Sequence, residues 1–351
     1  MKILHVITSL RTGGAEKLMV DLLPRLRTLG NDVELLLFDG TRTPFYDELK
    51  KTGIKIHHLS IGGNVYNPLN IIRLMKYIRK YEIFHTHNTA CQYFVPLAKL
   101  FSLANCKLVT TEHSTNNRRR KYKIFKHVDR FIYRKYNGII SISTKATESL
   151  NSFIGQKINI YTIENGIDIK KYLMLNQINF YDNNKIITMV AGFRKAKDQD
   201  SLIRAISLLP NNYKLWLVGD GERHEALINL VAELHLTNRV KFWGIRSDIP
   251  QILEQTHIVV LSSHWEGFGL AAVEAMAAAR PTIVSNVDGL REIVKGYGIL
   301  FPSQDSVSLA NEIKSLCENQ EKYNQIAQSC QERARQFDIN LMAQKYNKLY
   351  M

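Results

Sequence analysis

The sequence predicts an α/β protein with two doubly wound domains in tandem. A chain of 351 residues is longer than one hydrophobic core usually supports, which favours two domains. Short runs rich in β-branched residues alternate with helical patterns along nearly the whole chain. This alternation is typical of parallel sheets covered by helices on both faces. One polar stretch, MLNQINFYDNNK at 174–185, interrupts the alternation, which then restarts.

The strand candidates fall into two groups on either side of that stretch. The first group is KILHVITS, DVELLLF, IKIHHLS, IFHTH, KLVTTEH, GIISIS and NIYTI, with helix candidates such as AEKLMVDLLPRLRTLG and NPLNIIRLMKYIRKY between them. The second group is IITMVAGF, KLWLVGDG, VKFWGI, IVVLSS and PTIVSN. We therefore predict a first domain at 1–170, a linker at 171–184, a second domain at 185–335 and a helix at 336–351 that could pack back on the first domain.

Composition excludes several classes of protein. Hydrophobic residues make up 45% of the chain and charged residues 23%, as in soluble globular proteins. The N-terminal MKILHVITSL lacks a small-residue cleavage site, and no run approaches 18 apolar residues, so neither a signal peptide nor a membrane span is expected. The four cysteines lack metal-site spacing and are expected to be reduced in a cytoplasmic protein.

The positive charge is confined to the first half. Residues 1–174 contain 28 Lys and Arg against 13 Asp and Glu, whereas residues 175–351 contain 19 of each, so the net charge of +15 belongs to the first half alone. This asymmetry indicates an anionic partner for that half, such as a membrane surface, an acidic polymer or a nucleic acid.

Ligands of open parallel sheets bind beyond the carboxyl ends of the strands, so a cleft between two such sheets is the expected site. The first candidate there is SLRTGGAEKLM, in which Gly13 and Gly14 open a helix near Ala15. A helix that begins at a glycine turn presents free N–H groups to an anion. The spacing matches neither G-x-G-x-x-G nor a Walker loop, and an ordinary tight turn is the alternative.

A cationic loop follows the first strand of the second domain, in VAGFRKAKDQDSLIRAI. Arg194 and Lys197 are candidates to bind a diphosphate, with forked hydrogen bonds from arginine and a point charge from lysine. A solvated loop is the alternative. Further along, Gly244 and Ile245 follow a strand in FWGIRSD, where the small residue could let the backbone approach a nucleotide base, with an ordinary turn as the alternative.

Two glutamates flank a glycine patch in HWEGFGLAAVEAM at 264–276. A helix that begins near Gly269 would hold a phosphate at its N-terminus. Glu274 would then accept hydrogen bonds from ribose hydroxyls and Glu266 from those of a transferred sugar, because a carboxylate can accept two from a vicinal diol. The backbone of Gly267, Phe268, Gly269 and Leu270 would complete this donor-binding set. Burial among alanines argues against Glu274 as a solvated helix residue.

The segment HWEGFGLAAVEAMAAARPTIVSNVDGLREIV resembles the E-x7-E signature of the group 1, or family 4, glycosyltransferases of GT-B fold. The resemblance extends in the family's order to GGAE, to the EH pair at 112–113, to ENGID at 164–168, to FRKAKD at 193–198 and to VGDGE at 218–222. The resemblance therefore covers nearly the whole chain. It implies two Rossmann-like domains and transfer of a sugar from a nucleotide-diphosphate donor, with retention at the anomeric carbon and without a required metal or other cofactor.

The resemblance also assigns residues. It places His113 beside the transferred sugar, where it would orient the ring and stabilise positive charge on it. It implies that Arg194 and Lys197 stabilise charge on the leaving diphosphate. Many family members carry an arginine at the position of Gly192, and Arg194 is its expected substitute.

A basic stretch, NNRRRKYKIFKHVDRFIYRKY, lies in the first half. Residues 118–135 contain nine Lys and Arg and one acid, with aromatic and aliphatic residues at helical spacing between them. This pattern is typical of a basic helix on an anionic membrane. The cations assigned to that contact are Arg118, Arg119, Arg120, Lys121, Lys123 and Lys126. A solvated helix face and nucleic-acid binding are the alternatives, and no recognised nucleic-acid module surrounds the stretch.

The sequence as a whole predicts a cytoplasmic retaining glycosyltransferase at the inner face of the membrane. Its expected partners are a nucleotide-sugar donor, a glycan or lipid-linked acceptor of surface-polysaccharide synthesis and the anionic membrane, without nucleic acid. Two other functions remain as alternatives. One is a sugar-nucleotide epimerase of the same fold, and the other is a non-catalytic basic protein that binds membrane or nucleic acid.

Overall fold

The structure, a computed structural model, describes residues 1–11, 13–113, 123–155, 159–173 and 178–351, with the side chains of residues 123 and 124 outside the description. The chain forms two compact units. The first consists of Met1–Gly166 together with Ile339–Met351, and the second of Ile167–Asp338.

Within the described residues, the first unit is a seven-stranded parallel sheet with helices on both faces. Its strands are β1 (Lys2–Ile7), β2 (Asp32–Asp39), β3 (Lys55–Ser60), β4 (Ile83–His87), β5 (Lys107–Glu112), β6 (Gly138–Ser141) and β7 (Ile160–Thr162). Its helices are α1 (Gly14–Thr28), α2 (Pro44–Lys51), α3 (Leu69–Ile78), α4 (Thr89–Ser102), α5 (Lys123–Tyr133) and α6 (Thr144–Ile154). The strand order is β3-β2-β1-β4-β5-β6-β7, so the direction of winding reverses between β1 and β4.

The second unit repeats this design with a six-stranded parallel sheet among the described residues. Its strands are β8 (Lys185–Val190), β9 (Tyr213–Val218), β10 (Val240–Gly244), β11 (Ile258–Leu261), β12 (Thr282–Ser285) and β13 (Ile299–Phe301). Its helices are α7 (Gln199–Ser207), α8 (His224–Glu233), α9 (Ile249–Glu254), α10 (Leu270–Ala277), α11 (Arg291–Val294), α12 (Ser306–Glu318) and α13 (Gln320–Ala334). The order β10-β9-β8-β11-β12-β13 reverses between β8 and β11.

Local sequence explains several of these elements. Strands buried on both faces need nearly continuous apolar runs, and β11, with the sequence IVVL, is buried at every residue. Helix α6 begins where the Ser143 hydroxyl accepts a hydrogen bond from the Ala146 amide, and α12 begins at Asp305, which accepts from the Ser308 amide. These caps satisfy amides that have no partner within the helix.

The helix that follows the second unit along the chain, α14 (Ile339–Tyr350), belongs to the first unit. It packs against α1 and buries Met342, Tyr346 and Tyr350. The division between the units lies at 166/167, whereas the sequence analysis placed a linker at 171–184. Part of that stretch packs into the second unit, because the Phe180 ring lies 5.5 Å from the ring of Tyr323.

Among the residues described, no helix combines the length and the apolar character that crossing a bilayer requires. All four cysteines are buried and unpaired with one another.

Candidate active site

The first unit carries a pocket of about 350 Å³ at the point where its strand order reverses. This position, beyond the carboxyl ends of β1, β4 and β5, is where open α/β sheets bind ligands. The side chains around it are mostly uncharged and polar. They are Thr8, Val65, Tyr66, Asn88, Thr89, Ala90, Gln92, Thr111, Glu112 and His113.

His113, the predicted sugar-orienting residue, follows β5 directly and lines this pocket. Its Nε2 lies 2.9 Å from Nδ1 of His87 in a hydrogen bond. Burial lowers the pKa of His113 to about 4, so the ring is neutral at neutral pH. A neutral imidazole offers one donor and one acceptor and can therefore bind a hydroxyl without bringing a charge.

Behind His113 lie three fully buried histidines that the sequence analysis did not identify. His5 pairs in register with His85 across β1 and β4, and His85 and His87 are two residues apart and so share one face of the sheet. Burial lowers the pKa of His5 to about 3 and those of His85 and His87 well below 6.5. Their ring nitrogens lie within 4.8 Å of one another, a spacing that a metal ion could bridge. In the structure they instead bond to one another and to hydroxyl groups.

The predicted glycine turn also lies in the first unit. Helix α1 begins at Gly14, one residue before the predicted start, and Gly13 is its N-cap in an extended conformation. The amide of Lys17 donates to the Gly13 carbonyl at 3.0 Å, which is the first hydrogen bond of the helix. The other predicted donor-binding residues lie in the second unit.

In the second unit, the structure brings together two residues that the sequence placed 69 positions apart. Lys197 Nζ donates to both carboxylate oxygens of Glu266, at 2.5 and 2.6 Å. Lys197 belongs to the loop after β8 and Glu266 to the loop after β11, so the pair spans the reversal of strand order. Arg194 and Lys195, on the same loop as Lys197, are exposed.

Buried polar contacts hold these two loops against each other. Asp198 adopts the left-handed conformation (φ 50°), caps α7 and accepts a 2.6 Å hydrogen bond from the Ser201 hydroxyl. The Ser262 hydroxyl donates to the Asp198 carbonyl at 2.7 Å, and the His264 amide donates to the Ala196 carbonyl at 2.9 Å. Burial raises the pKa of Asp198. These contacts determine where Lys197 meets Glu266.

A close approach of two backbone segments fixes Glu266 from the other side. Gly289 has φ +87°, and a Cβ on it would lie 2.5 Å from the Glu266 carbonyl oxygen. Only glycine tolerates both the positive φ and this approach. Gly289 was not predicted, since a lone glycine in NVDGL indicates no more than a turn.

Helix α10 begins at Leu270, with Gly269 as its N-cap at φ +89°, as predicted. The Glu266 side chain is adjacent, because a Cβ on Gly269 would lie 3.7 Å from Glu266 Cγ. Glu274, on the same helix, is 8% exposed. The Phe268 ring is buried against Phe337, so its backbone alone is available to a ligand. Glu266, the helix start and Glu274 thus lie within one segment of the second unit, and Lys197 reaches Glu266 from another loop.

Gly244 and Ile245 lie at the end of β10, on the other side of β9 from β8. Gly244 has φ +65°, and its carbonyl accepts a hydrogen bond from the Gly219 amide at 2.8 Å. The Ile245 side chain is 54% exposed.

The basic stretch is described in part. Arg118, Arg119, Arg120 and Lys121 lie outside the described residues, as does the side chain of Lys123. Helix α5 turns three apolar side chains outward, with Phe125 37%, Val128 40% and Phe131 50% exposed. Lys126 is partly exposed, Arg134 and Lys135 are exposed, and the Lys135 ammonium lies 4.7 Å from the centre of the Phe131 ring.

Two family models match consecutive parts of the chain. Residues 12–171 match "Glycosyltransferase Family 4" and residues 173–333 match "Glycosyl transferases group 1".

Individual relatives and solved structures agree with these models. The chain is 25% identical to an N-acetyl-alpha-D-glucosaminyl L-malate synthase of Bacillus anthracis, over 77% of this chain and 74% of that one. It is 24% identical to a UDP-Gal:alpha-D-GlcNAc-diphosphoundecaprenol alpha-1,3-galactosyltransferase of Escherichia coli, over 100% and 97%. Among solved structures, Anabaena HepE in complex with UDP-glucose matches with a TM-score of 0.88 and 25% identity over 99% and 98% of the two chains.

Proposed function

Because this chain belongs to the group 1, or family 4, glycosyltransferases of GT-B fold, we propose that it moves a sugar from a nucleotide-diphosphate sugar to a glycan or lipid-linked acceptor. We propose further that the transfer retains the configuration at the anomeric carbon and belongs to the synthesis of a surface polysaccharide. The name of the Escherichia coli relative, whose acceptor is a diphosphoundecaprenol-linked sugar, supports a lipid-linked acceptor.

The observation that carries the proposal is the Lys197–Glu266 pair beside the N-terminus of α10. A helix N-terminus presents amides that favour a phosphate. A carboxylate has about four acceptor positions, so one that binds Lys197 can also accept from sugar hydroxyls. Glu274, further along the same helix, would accept from the ribose hydroxyls. These groups together suit a molecule with a hydroxylated ring on each side of a diphosphate.

The reaction needs stabilisation of charge on the departing diphosphate. Arg194, Lys197 and the amides at the start of α10 would supply it, since donors and cations fixed in advance need little reorganisation as charge develops. His113, in the pocket of the first unit, would orient the transferred sugar and stabilise positive charge on its ring. Activity is expected to survive EDTA because the proposed chemistry uses no metal.

We also propose that the protein works at the cytoplasmic face of an anionic membrane. Helix α5 supports this, since its outward Phe125, Val128 and Phe131 lie among cations, an arrangement suited to the headgroup region. A lipid-linked acceptor would lie on the same surface.

The proposed site is tested through the different roles assigned to its two glutamates, Glu266 at the transferred sugar and Glu274 at the ribose. Glu274→Ala is expected to weaken binding of nucleoside diphosphates, because it removes the ribose contact. Glu266→Ala is expected to leave that binding near the wild-type value and to lower turnover of the intact donor. Calorimetric titration with UDP, GDP and ADP and assays with their sugar conjugates measure both effects.

Glu233→Ala, at an exposed position on α8, is the matched control and should change neither quantity. Equal loss of diphosphate affinity in Glu266→Ala and Glu274→Ala would contradict the division. Conversion of the nucleotide sugar to its epimer without any acceptor would favour the epimerase alternative. Failure to bind any nucleoside diphosphate would favour a non-catalytic protein.

A further inference from the structure

The buried histidines of the first unit form a row of hydrogen bonds that ends at His113 in the pocket. His113 Nε2 and His87 Nδ1 are 2.9 Å apart, and His87 Nε2 and His5 Nδ1 are 3.0 Å apart. Both nitrogens of His87 are therefore used inside the row. The tautomer of each ring is thus tied to that of the next, because a neutral imidazole has one N–H and one lone pair.

The row continues into helix α14. His5 Nε2 lies 3.3 Å from the Tyr350 hydroxyl, which lies 2.5 Å from His85 Nδ1. His85 Nε2 bonds to Thr111 Oγ1 at 2.8 Å, and Thr111 Oγ1 to the Tyr346 hydroxyl at 3.1 Å. The row thus connects the pocket to two tyrosines of the same helix.

Two proton arrangements satisfy every link of this row. Among the described residues, the buried hydroxyl of Tyr350 has His5 and His85 as its hydrogen-bond partners, so it must donate to one of them. If Tyr350 donates to His85, it accepts from His5 Nε2–H. His5 Nδ1 then accepts from His87 Nε2–H, and His87 Nδ1 accepts from His113 Nε2–H. If it donates to His5, every bond reverses, and His113 carries its proton on Nδ1. A mixed arrangement would set two lone pairs against each other.

The distances distinguish between the two senses. The contact from Tyr350 to His85 is 0.8 Å shorter than the contact to His5, 2.5 against 3.3 Å. A hydroxyl donates in the shorter bonds of a protein, whereas an N–H donor is found at longer distances. The phenol proton therefore belongs to the bond with His85.

We propose that Tyr350 is a positioning residue that holds His113 in its Nε2–H tautomer, which leaves Nδ1 as a hydrogen-bond acceptor for a hydroxyl of a ligand in the pocket. Burial supports this, since it lowers the pKa values of His5 and His113 to about 3 and about 4 and keeps both rings neutral. The consequence for catalysis rests on the proposed role of His113 at the transferred sugar. An acceptor lone pair suits a sugar ring that gains positive charge, whereas an N–H would oppose that charge.

The test is the tautomer of His113 itself, read from the ¹⁵N shifts of its imidazole in the full-length protein. The signals are assigned by their loss in His113→Asn. We expect the Nε2–H tautomer in the wild type. In Tyr350→Phe, which removes one hydroxyl and keeps the ring, the Nε2–H arrangement leaves the buried His5 N–H without its acceptor, whereas the other arrangement leaves only a lone pair unpaired. We therefore expect the ratio of Nε2–H to the other tautomer to fall by about fivefold, the weight of one neutral hydrogen bond.

Tyr81→Phe is the matched control. It removes the hydroxyl of another buried tyrosine of the first unit, which donates to Glu34 outside the row. It is expected to leave the His113 tautomer unchanged. If Tyr350→Phe does not fold, 3-fluorotyrosine at position 350 replaces it. The more acidic phenol of 3-fluorotyrosine should donate a stronger hydrogen bond to His85 and lower any residual population of the Nδ1–H tautomer of His113.

Three results would overturn the proposal. The first is an Nδ1–H tautomer of His113 in the wild type, and the second is an unchanged His113 tautomer in Tyr350→Phe. The third is a shift of the histidine signals on addition of one Zn²⁺ per protein molecule that EDTA reverses. The last would make the cluster a metal site. Turnover is a separate readout, expected to fall about fivefold in Tyr350→Phe with unchanged affinity for the nucleoside diphosphate. A changed tautomer with unchanged turnover would retain the row and refute the role of His113 in transfer.

Discussion

The two units share the architecture of a doubly wound parallel sheet, but different kinds of side chain lie where the strand order of each sheet reverses. In each, the strand order reverses beside the first strand of the sheet, and polar side chains gather past the carboxyl ends there. In the first unit they are the neutral His113 and hydroxyl and amide groups, and the buried histidines of β1 and β4 lie behind them. In the second they are the hydrogen-bonded Lys197 and Glu266 beside a helix N-terminus.

Under the proposed function, this difference would let one fold serve two tasks. A site that bound a diphosphate, as proposed for the second unit, would need fixed charges, and that unit has them on two loops. A site that bound hydroxyls, as proposed for the first unit, would need donors and acceptors in a fixed arrangement without excess charge. The following predictions test this comparison, beginning with the largest expected effect.

Acid should destabilise the first unit far more than the second. The folded-state pKa values of His5, His85 and His87 lie below the unfolded value of about 6.5, so the unfolded chain binds more protons and stability rises with pH. The full stability is present above pH 6.5 and is lost as pH falls towards the folded values. At pH 5.5 these three histidines and His113, whose pKa burial lowers to about 4, together should cost about 6 kcal/mol.

The second unit has His257, whose pKa burial lowers to about 4, and should lose about 1.4 kcal/mol over the same interval. Hydrogen exchange followed by mass spectrometry at pH 7.5 and 5.5, corrected for intrinsic rates, separates the units by their peptides. Equal loss of protection in both units would refute the comparison.

Lys197→Ala should lower turnover by about a hundred- to a thousandfold, the cost of removing one donor that stabilises developing charge. It removes both hydrogen bonds to Glu266 and a cation close to the proposed phosphate. Initial rates at saturating donor measure the effect, with thermal melting to show that the fold is intact. Lys195→Ala, at an exposed position two residues away, should keep turnover within about twofold, since a solvated surface charge contributes little. Similar rates for both variants would remove Lys197 from the site.

Gly289→Ala should destabilise the protein by about 1–3 kcal/mol more than Gly296→Ala, because overpacking adds to backbone strain. The two glycines have nearly the same φ, +87° and +85°. A Cβ on Gly289 meets the Glu266 carbonyl, whereas the space around Gly296 is open. Denaturant unfolding gives the difference directly. Equal stabilities would mean that the two backbone segments separate at little cost and do not fix Glu266.

Phe131→Ser should weaken binding to anionic vesicles by about fivefold, since the removal of one partly exposed aromatic ring costs on the order of 1 kcal/mol. Sedimentation with anionic and with neutral vesicles, at low and at high salt, measures this. Leu341→Ser, which alters a similarly exposed apolar residue on α14, is the control. Binding that shows no preference for anionic lipid, or tight binding to nucleic acid instead, would contradict the membrane proposal.

Much of the fold was predictable because parallel strands are marked by local apolar runs. All twelve strand candidates lie on strands, with ends that differ by at most three residues. The thirteenth strand, Ile299–Phe301, was missed; β7 is equally short, but NIYTI extends it by one residue at each end to a run of five.

The site was predictable where its residues are neighbours in sequence. Glu266, Gly269 and Glu274 lie within nine residues, and the predicted helix start was correct. The Lys197–Glu266 pair and the histidine row were missed because their members meet through strand pairing, which sequence spacing does not report. The alternation in IFHTH, which places His85 and His87 on one face, was the one available signal of the row.

The return of α14 to the first unit has a consequence for how the protein is made. Tyr346 and Tyr350 fill the core of a unit whose other residues are synthesised before the whole of Ile167–Asp338. We therefore expect a nascent chain to hold an unfinished N-terminal unit until α14, which follows the second unit along the chain, can pack against it. Co-translational folding should then proceed out of chain order, and the downstream unit should be the first to resist a protease.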